Sequence, residues 1–108
     1  MASDKAYLDF ILEQLSDLGD ISWRGMMGEF IIYYKGRIAG GIYDDRLLVK
    51  TVKAARELMP DAEEELPYEG AKPMLLVDNV DSRDFLKRLF TAMYPELPES
   101  RKRPPVKS

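Results

Sequence analysis

The sequence predicts a two-layer α+β domain in which helices cover one face of an antiparallel sheet. Residues 21–50 are rich in β-branched and aromatic side chains, and turn signals interrupt them at short intervals. Amphipathic helical patterns lie on both sides of this segment. Strands that are grouped together and flanked by helices are typical of α+β folds.

A first helix is predicted from about Asp4 to Leu18, with Ser3 as its N-cap and Gly19 placed to end it. The apolar stripe recurs at steps of three and four residues and comprises Tyr7, Leu8, Ile11, Leu15 and Leu18, widened by Phe10 and Leu12. This stripe is broader than contact with one sheet requires. We therefore expect part of it to pack against a second subunit.

A meander of strands follows, beginning with a short strand at Ile21–Met26. From residue 30 the side chains alternate between two sets, as a strand requires: Phe30, Ile32 and Tyr34 against Ile31, Tyr33 and Lys35. Turns at Lys35-Gly36 and Asp44-Asp45 separate the strands 38–43 and 46–50. Gly40-Gly41 indicates a bulge or a close backbone approach, and a helix lying tight across the sheet is the favoured explanation.

The second half predicts a helix, Val52 to Met59, capped by Thr51 and ended by Pro60. Connecting structure with one short extended piece then leads to a buried strand over 74–77. A third helix begins after Asp81 or Ser82, and its apolar face comprises Phe85, Leu86, Leu89, Phe90 and Met93. The predicted order is α-β(3)-α-β(2)-α, in a domain over residues 1–94 followed by a flexible, basic, proline-containing tail over 95–108.

Composition excludes several kinds of chemistry. The 108 residues contain no cysteine and no histidine, which rules out disulfides, thiolate or imidazole metal sites, and catalysis by Cys–His or Ser–His pairs. No cofactor motif or metal-ligand spacing is present, so no cofactor, metal or catalytic residue is expected. The N-terminus lacks a signal-peptide core and no apolar run could span a membrane, so we expect a cytoplasmic protein without membrane contact.

The most unusual local sequence is Trp23-Arg24-Gly25-Met26-Met27-Gly28. An arginine flanked by an aromatic ring and glycines could bind a carboxylate or a phosphate. The structural alternative is that Trp23 and the methionines fill the core while the glycines allow a sharp turn. Lys50, beside an apolar strand, could join Trp23 and Arg24 in a small-molecule pocket.

The tail carries four basic residues that could contact nucleic acid: Arg101, Lys102, Arg103 and Lys107. The net charge of the whole chain is −3, and the tail has no aromatic residues on which bases could stack. A solubilising terminus is therefore the favoured interpretation of the tail.

The segments RGMMGEF, YYKGRIAGGIYDDRLLVK and YEGAKPM resemble the TfoX N-terminal domain-like (Sxy/TfoX) family. The family word Arg-x-Met-Phe-Gly-Gly is matched at Arg24, Met26 and Gly28, whereas Met27 replaces the phenylalanine and Glu29 the second glycine. Leu48-Val49-Lys50 stands where the family has a lysine-ending strand. The similarity runs from Tyr7 to Met93 and suggests a short, single-domain form.

The resemblance implies a fold similar in outline to secretion-chaperone-like domains. It also implies a link to competence regulation, in which full-length relatives act as coregulators of transcription. We therefore expect a non-enzymatic regulatory domain that binds another protein, in the form of a homodimer. The alternatives are a nucleic-acid-associated factor that uses the basic tail and a small-molecule-binding domain.

Overall fold

The computed structural model describes residues 4–26 and 28–97. In chain order it contains α1 (Lys5–Gln14), β1 (Ile21–Met26), β2 (Glu29–Tyr34), β3 (Arg37–Tyr43), β4 (Arg46–Val49), α2 (Lys53–Leu58), β5 (Glu64–Glu65), β6 (Met74–Leu76), α3 (Arg83–Met93) and a 3₁₀ turn (Tyr94–Glu96). The predicted α+β class is confirmed. Four strands precede α2, at the four predicted segments, which is one strand more than the predicted order α-β(3)-α-β(2)-α counts.

The strands form one sheet in the order β1-β2-β3-β4-β6-β5, and all neighbouring strands are antiparallel. The two predicted turns have positive φ at both central residues: 53° and 81° at Lys35-Gly36, and 55° and 58° at Asp44-Asp45. Such turns match the twist of the strands that they join. The meander therefore has β1 at one edge, and β5 lies at the other.

The core lies between the three helices and one face of the sheet. This helix face buries strand residues that alternate along the chain: Ile32, Tyr34, Ile42, Leu47, Val49 and Leu75. From α3 it receives the predicted stripe, with Leu86, Leu89, Phe90 and Met93 fully buried and Phe85 partly buried. Directly opposed residues of neighbouring strands share a face. The other side of the sheet, called the open face below, carries Arg24, Met26, Ile31, Tyr33, Ile38 and Tyr43.

Gly40 and Gly41 lie where two backbones approach too closely for a side chain. The register between β2 and β3 shifts after Ile32, which makes Ala39 an extra, bulged residue. A Cβ on Gly40 would overlap the carbonyl oxygen of Leu48 and lie 2.8 Å from the Cα of Val49. The predicted bulge and close approach are present. The favoured explanation, a helix across the sheet, is wrong because the close neighbour is the backbone of β4.

The start of α1 is capped by Asp4, which accepts a hydrogen bond from the backbone N–H of Ala6 at 3.1 Å. The predicted cap, Ser3, lies outside the described residues. The helix ends at Gln14 and not at Leu18, because the chain tightens there into turns with hydrogen bonds between residues three apart. Its end is tied to α3 by Arg83, which forms ion pairs with Glu13 and Asp17 of 3.5 and 3.4 Å.

The start of α2 is capped from a distant part of the chain. Thr51, the predicted cap, is not the N-cap, because the helix begins one residue later and Val52 occupies that position without a side-chain hydrogen bond. The backbone N–H of Ala54 donates instead to Oε1 of Glu96, at 2.8 Å. A carboxylate at a helix N-terminus also suits the helix dipole.

The packed structure continues beyond the predicted domain boundary at residue 94. Pro95 belongs to the 3₁₀ turn, and Leu97 is buried in the core. The Arg37 guanidinium donates to the carbonyl of Leu97 at 3.2 Å and lies over the ring of Tyr94 at 4.6 Å. Residues 95–97, the first three of the predicted tail, therefore belong to the packed structure. The rest of the predicted tail lies outside the described residues.

Candidate functional site

The candidate site is β1, an edge strand in which five consecutive residues, 22–26, are exposed. Glycines set its two ends: Gly19 has a φ of 66° before it, and Gly28 has a φ of 86° in the turn after it. Glycine adopts such φ values without steric cost. The positions of the glycines therefore set where this strand starts and stops. Within the described sheet, β1 pairs along one edge only, with β2.

The two most suggestive residues of this strand point to opposite faces of the sheet. Trp23 lies opposite Ile32 and belongs to the helix face, whereas Arg24 lies opposite Ile31 and belongs to the open face. A single small ligand cannot be held between their side chains. The predicted arginine–aromatic grip is therefore not assembled by this pair.

Trp23 is 41% exposed, so it is only partly core filler. Its ring packs edge-on against Phe30, with centroids 5.6 Å apart, and Lys5 Nζ lies 5.9 Å from its centroid. The Phe30 ring and the Lys5 ammonium group of α1 therefore hold the indole in place. The rest of its surface is exposed on the helix face.

The other predicted site residues are dispersed. Met26 is 50% exposed on the open face, and Gly28 shapes the β1–β2 turn. Lys50 follows β4. In the sheet, β2 and β3 lie between β4 and β1. A pocket built from Trp23, Arg24 and Lys50 is therefore not formed. Met27 and the basic tail residues Arg101, Lys102, Arg103 and Lys107 lie outside the described residues.

The open face carries tyrosines that the sequence reasoning did not single out. Tyr33 and Tyr43 are half-buried there, and the ring of Tyr43 folds back over Gly41, where a Cβ would lie 2.8 Å from it. The sequence signal that could have identified Tyr33 was the alternation along β2, which places Ile31 and Tyr33 on one face. It did not show which face the helices would cover.

The pKa of Tyr43 is raised from its usual value of 10.0, first by burial and then by its neighbours Tyr68, Glu29 and Tyr33. The protonated phenol is therefore favoured in the folded state. Stability from this group is fully present below pH 10.0 and is lost as the pH rises through the higher folded pKa.

We expect the free energy of unfolding to fall as the pH is raised above this value, and Tyr43→Phe to make that fall shallower. Denaturant unfolding at a series of alkaline pH values measures both slopes. Tyr94→Phe is the control, since Tyr94 is not among the groups that raise the pKa of Tyr43. Equal slopes for wild type and Tyr43→Phe would contradict this assignment.

A cleft not foreseen from the sequence lies between the end of α2 and the start of α3. It has a volume of about 230 Å³ and is lined by apolar Met59, Leu76 and Phe85 and by the carboxylates Asp61 and Asp78. None of the predicted site residues that the structure describes lines it. Within residues 4–26 and 28–97, no group of acidic side chains converges as a metal site would require. No helix in the described part of the chain is long and apolar enough to cross a membrane.

The fold and the exposed strand define a small two-layer α+β domain with an open antiparallel sheet. The chain belongs to the TfoX N-terminal domain family, whose model matches residues 13–100. A relative from Spirochaeta aurantia, described as an uncharacterized 12.7 kDa protein in the trpE 5′ region, is 32% identical over 80 residues. That match covers 74% of this chain and 70% of the relative. No solved structure matches the chain significantly.

Proposed function

We propose that this competence-regulator-like domain is a non-enzymatic regulatory module that acts in the cytoplasm by binding another protein. Family membership supports the regulatory role. We infer that the partner belongs to the transcription machinery and that the open face of the sheet receives it. The observation that carries the proposal is the composition of that face, together with the exposure of Arg24 and Met26 at its β1 edge.

The open face combines aromatic, methionine and arginine side chains, which are enriched at protein interfaces. Met26 is 50% exposed, and Tyr68, which lies close enough to Tyr43 to affect its pKa, is 63% exposed. Arg24 adds a positive charge on the same strand and face as Met26. Partly apolar surfaces of this kind suit a folded protein better than a small ligand, which requires an enclosing pocket.

Nucleic-acid binding through the tail is the second candidate, and its four basic residues favour it. Because Leu97 is buried, the appropriate truncation removes residues 98–108 and keeps Leu97. In a salt-dependent titration with duplex and single-stranded DNA, we expect weak binding or none, whether or not the tail is present. Tight binding that is lost with the tail would favour the second candidate.

The main test compares variants of the open face in affinity capture from native lysate. We expect Met26→Glu with Tyr68→Ala to lose a protein that the wild-type domain retains, and Lys87→Glu on the exposed side of α3 to retain it. The captured protein, purified separately, should bind the double variant at least about tenfold more weakly. Equal binding to all three domains, or capture that nuclease abolishes, would contradict the proposal.

A further inference from the structure

We propose that a second copy of this chain pairs antiparallel with the outer edge of β1, with Trp23 of each copy at the two-fold axis. This inference rests on the proposed interaction role and names the surface on which the domain meets its own copy. No strand within residues 4–26 and 28–97 pairs with that edge. An unpaired strand edge is a ready template for another strand.

The hairpin geometry identifies the main-chain groups at this edge. Tyr34 and Arg37 close a two-residue turn, so their N–H and C=O groups point toward each other between β2 and β3. The groups of Tyr33 therefore point the other way, toward Ser22 of β1, which lies directly opposite. Successive residues of a strand alternate in this respect. The groups that point outward from β1 are consequently those of Ile21, Trp23 and Gly25.

Two-fold symmetry restricts how such an edge pairs with itself. The axis must stand perpendicular to the sheet, which keeps the helix faces of both copies on the same side. Residues that lie opposite each other then share a face. The axis must therefore pass midway between one residue and the same residue of the second copy. Two registers keep five residues of each β1 paired, one centred on Trp23 and one centred on Arg24.

Charge and hydrogen bonding both favour the register centred on Trp23. Centring on Arg24 would place two guanidinium groups directly opposite, with Cα atoms about 4.5 Å apart, which is destabilising. Centring on Trp23 sets Arg24 opposite Ser22 of the second copy. It also places the three residues whose main-chain groups point outward opposite the same three residues of the second copy. About six main-chain hydrogen bonds then form, compared with about four in the register centred on Arg24.

The register centred on Trp23 also covers the exposed aromatic ring of β1. Trp23 is 41% exposed, and its orientation is fixed by Phe30 and Lys5. Pairing at the axis would bring the two indoles together on the helix face, where each excludes water from the other. Tryptophan in such a central position commonly dominates the energy of an interface.

The first test compares two substitutions at Gly25, whose N–H points outward and makes no bond within the sheet. A Cβ at this position has its nearest neighbours at 3.9 Å, so alanine is accommodated. Proline removes the outward N–H and is tolerated at strand edges. We expect Gly25→Pro to raise the dimer dissociation constant at least about tenfold in sedimentation equilibrium, and Gly25→Ala to leave it unchanged. Circular dichroism checks that both remain folded.

Trp23 is the sole tryptophan of the chain and therefore reports directly on the proposed axis. Its emission should shift to shorter wavelength as the concentration of wild type rises, and should not shift for Gly25→Pro. A concentration-dependent dimer with unchanged Trp23 emission would overturn the proposed axis.

The second test reads the register, using the absence of native cysteine. An oxidised mixture of Ser22→Cys and Arg24→Cys proteins should form the mixed disulfide dimer, because these positions lie opposite each other about 4.5 Å apart. Arg24→Cys alone should remain uncrosslinked, and intact mass distinguishes the products. Asp84→Cys on α3 is the control for random collision.

Two results would overturn the proposal: a folded wild-type monomer at every concentration, or a disulfide formed by Arg24→Cys alone. Neither outcome affects the binding of a different protein to the open face. Conversely, loss of that binding in the Met26 and Tyr68 variant, with dimerisation intact, would leave this inference standing. The two proposals therefore fail separately.

Discussion

Replacing Gly40 by alanine is expected to destabilise the domain by more than about 4 kcal/mol, a large share of a typical domain's stability. The new Cβ would overlap the carbonyl oxygen of Leu48 and lie 2.8 Å from the Cα of Val49. Both atoms belong to the backbone of β4, in the centre of the sheet. No change of rotamer relieves the overlap, so the strands must separate.

Chemical denaturation measures this effect, and Gly25→Ala in β1 provides the matched control. A Cβ there meets only side-chain atoms at 3.9 Å, and loss of glycine reduces the entropy of the unfolded chain. We expect the control to match wild type or to exceed it by up to about 1 kcal/mol. Similar midpoints for the Gly40 and Gly25 variants would show that β4 does not approach β3 as described.

Replacing Phe90 by alanine is expected to cost about 3–5 kcal/mol. Its ring is fully buried and meets Tyr34 of β2 in an edge-on contact, with centroids 6.4 Å apart. Truncation would leave a cavity between α3 and the sheet that neighbouring side chains cannot fill without moving. Loss of transfer free energy and the cavity then act together.

The midpoint of unfolding should therefore fall sharply for Phe90→Ala, with the denaturant slope unchanged. Phe10→Ala is the matched control, because Phe10 is 39% exposed on α1. We expect it to cost less than about 1 kcal/mol. Equal losses for the two variants would mean that α3 does not provide the centre of the core.

Local signals predicted the elements well, because each depends on residues close in sequence. The period of two in β2, the turn at Lys35-Gly36 and the stripe of α3 all appear in the structure, and Ser82, one of the two predicted caps, begins α3. Caps were less certain. Thr51 had the right chemistry at the wrong position, and Glu96 supplies the bond from the far end of the chain.

The candidate site was predicted only in part. Trp23, Arg24 and Met26 do lie together on one exposed strand, but their alternation divides them between two faces. Lys50 lies beyond β2 and β3 and therefore does not share a pocket with Trp23 and Arg24. Which side of β2 the helices cover could not be read from its alternation, because both sets of side chains are apolar enough to be buried.

The sequence alone determined the α+β class, the meander and its turns, because hydrophobic period and glycine positions act over a few residues. Only the tertiary structure decided that Tyr33 and Tyr43 face away from the helices, that β1 forms an edge and that Gly40 meets β4. Those outcomes depend on which distant segments pack together, and packing is set by shape and burial across the whole domain. Short sequence motifs indicated the family, whereas the fold determined which surfaces are available for binding.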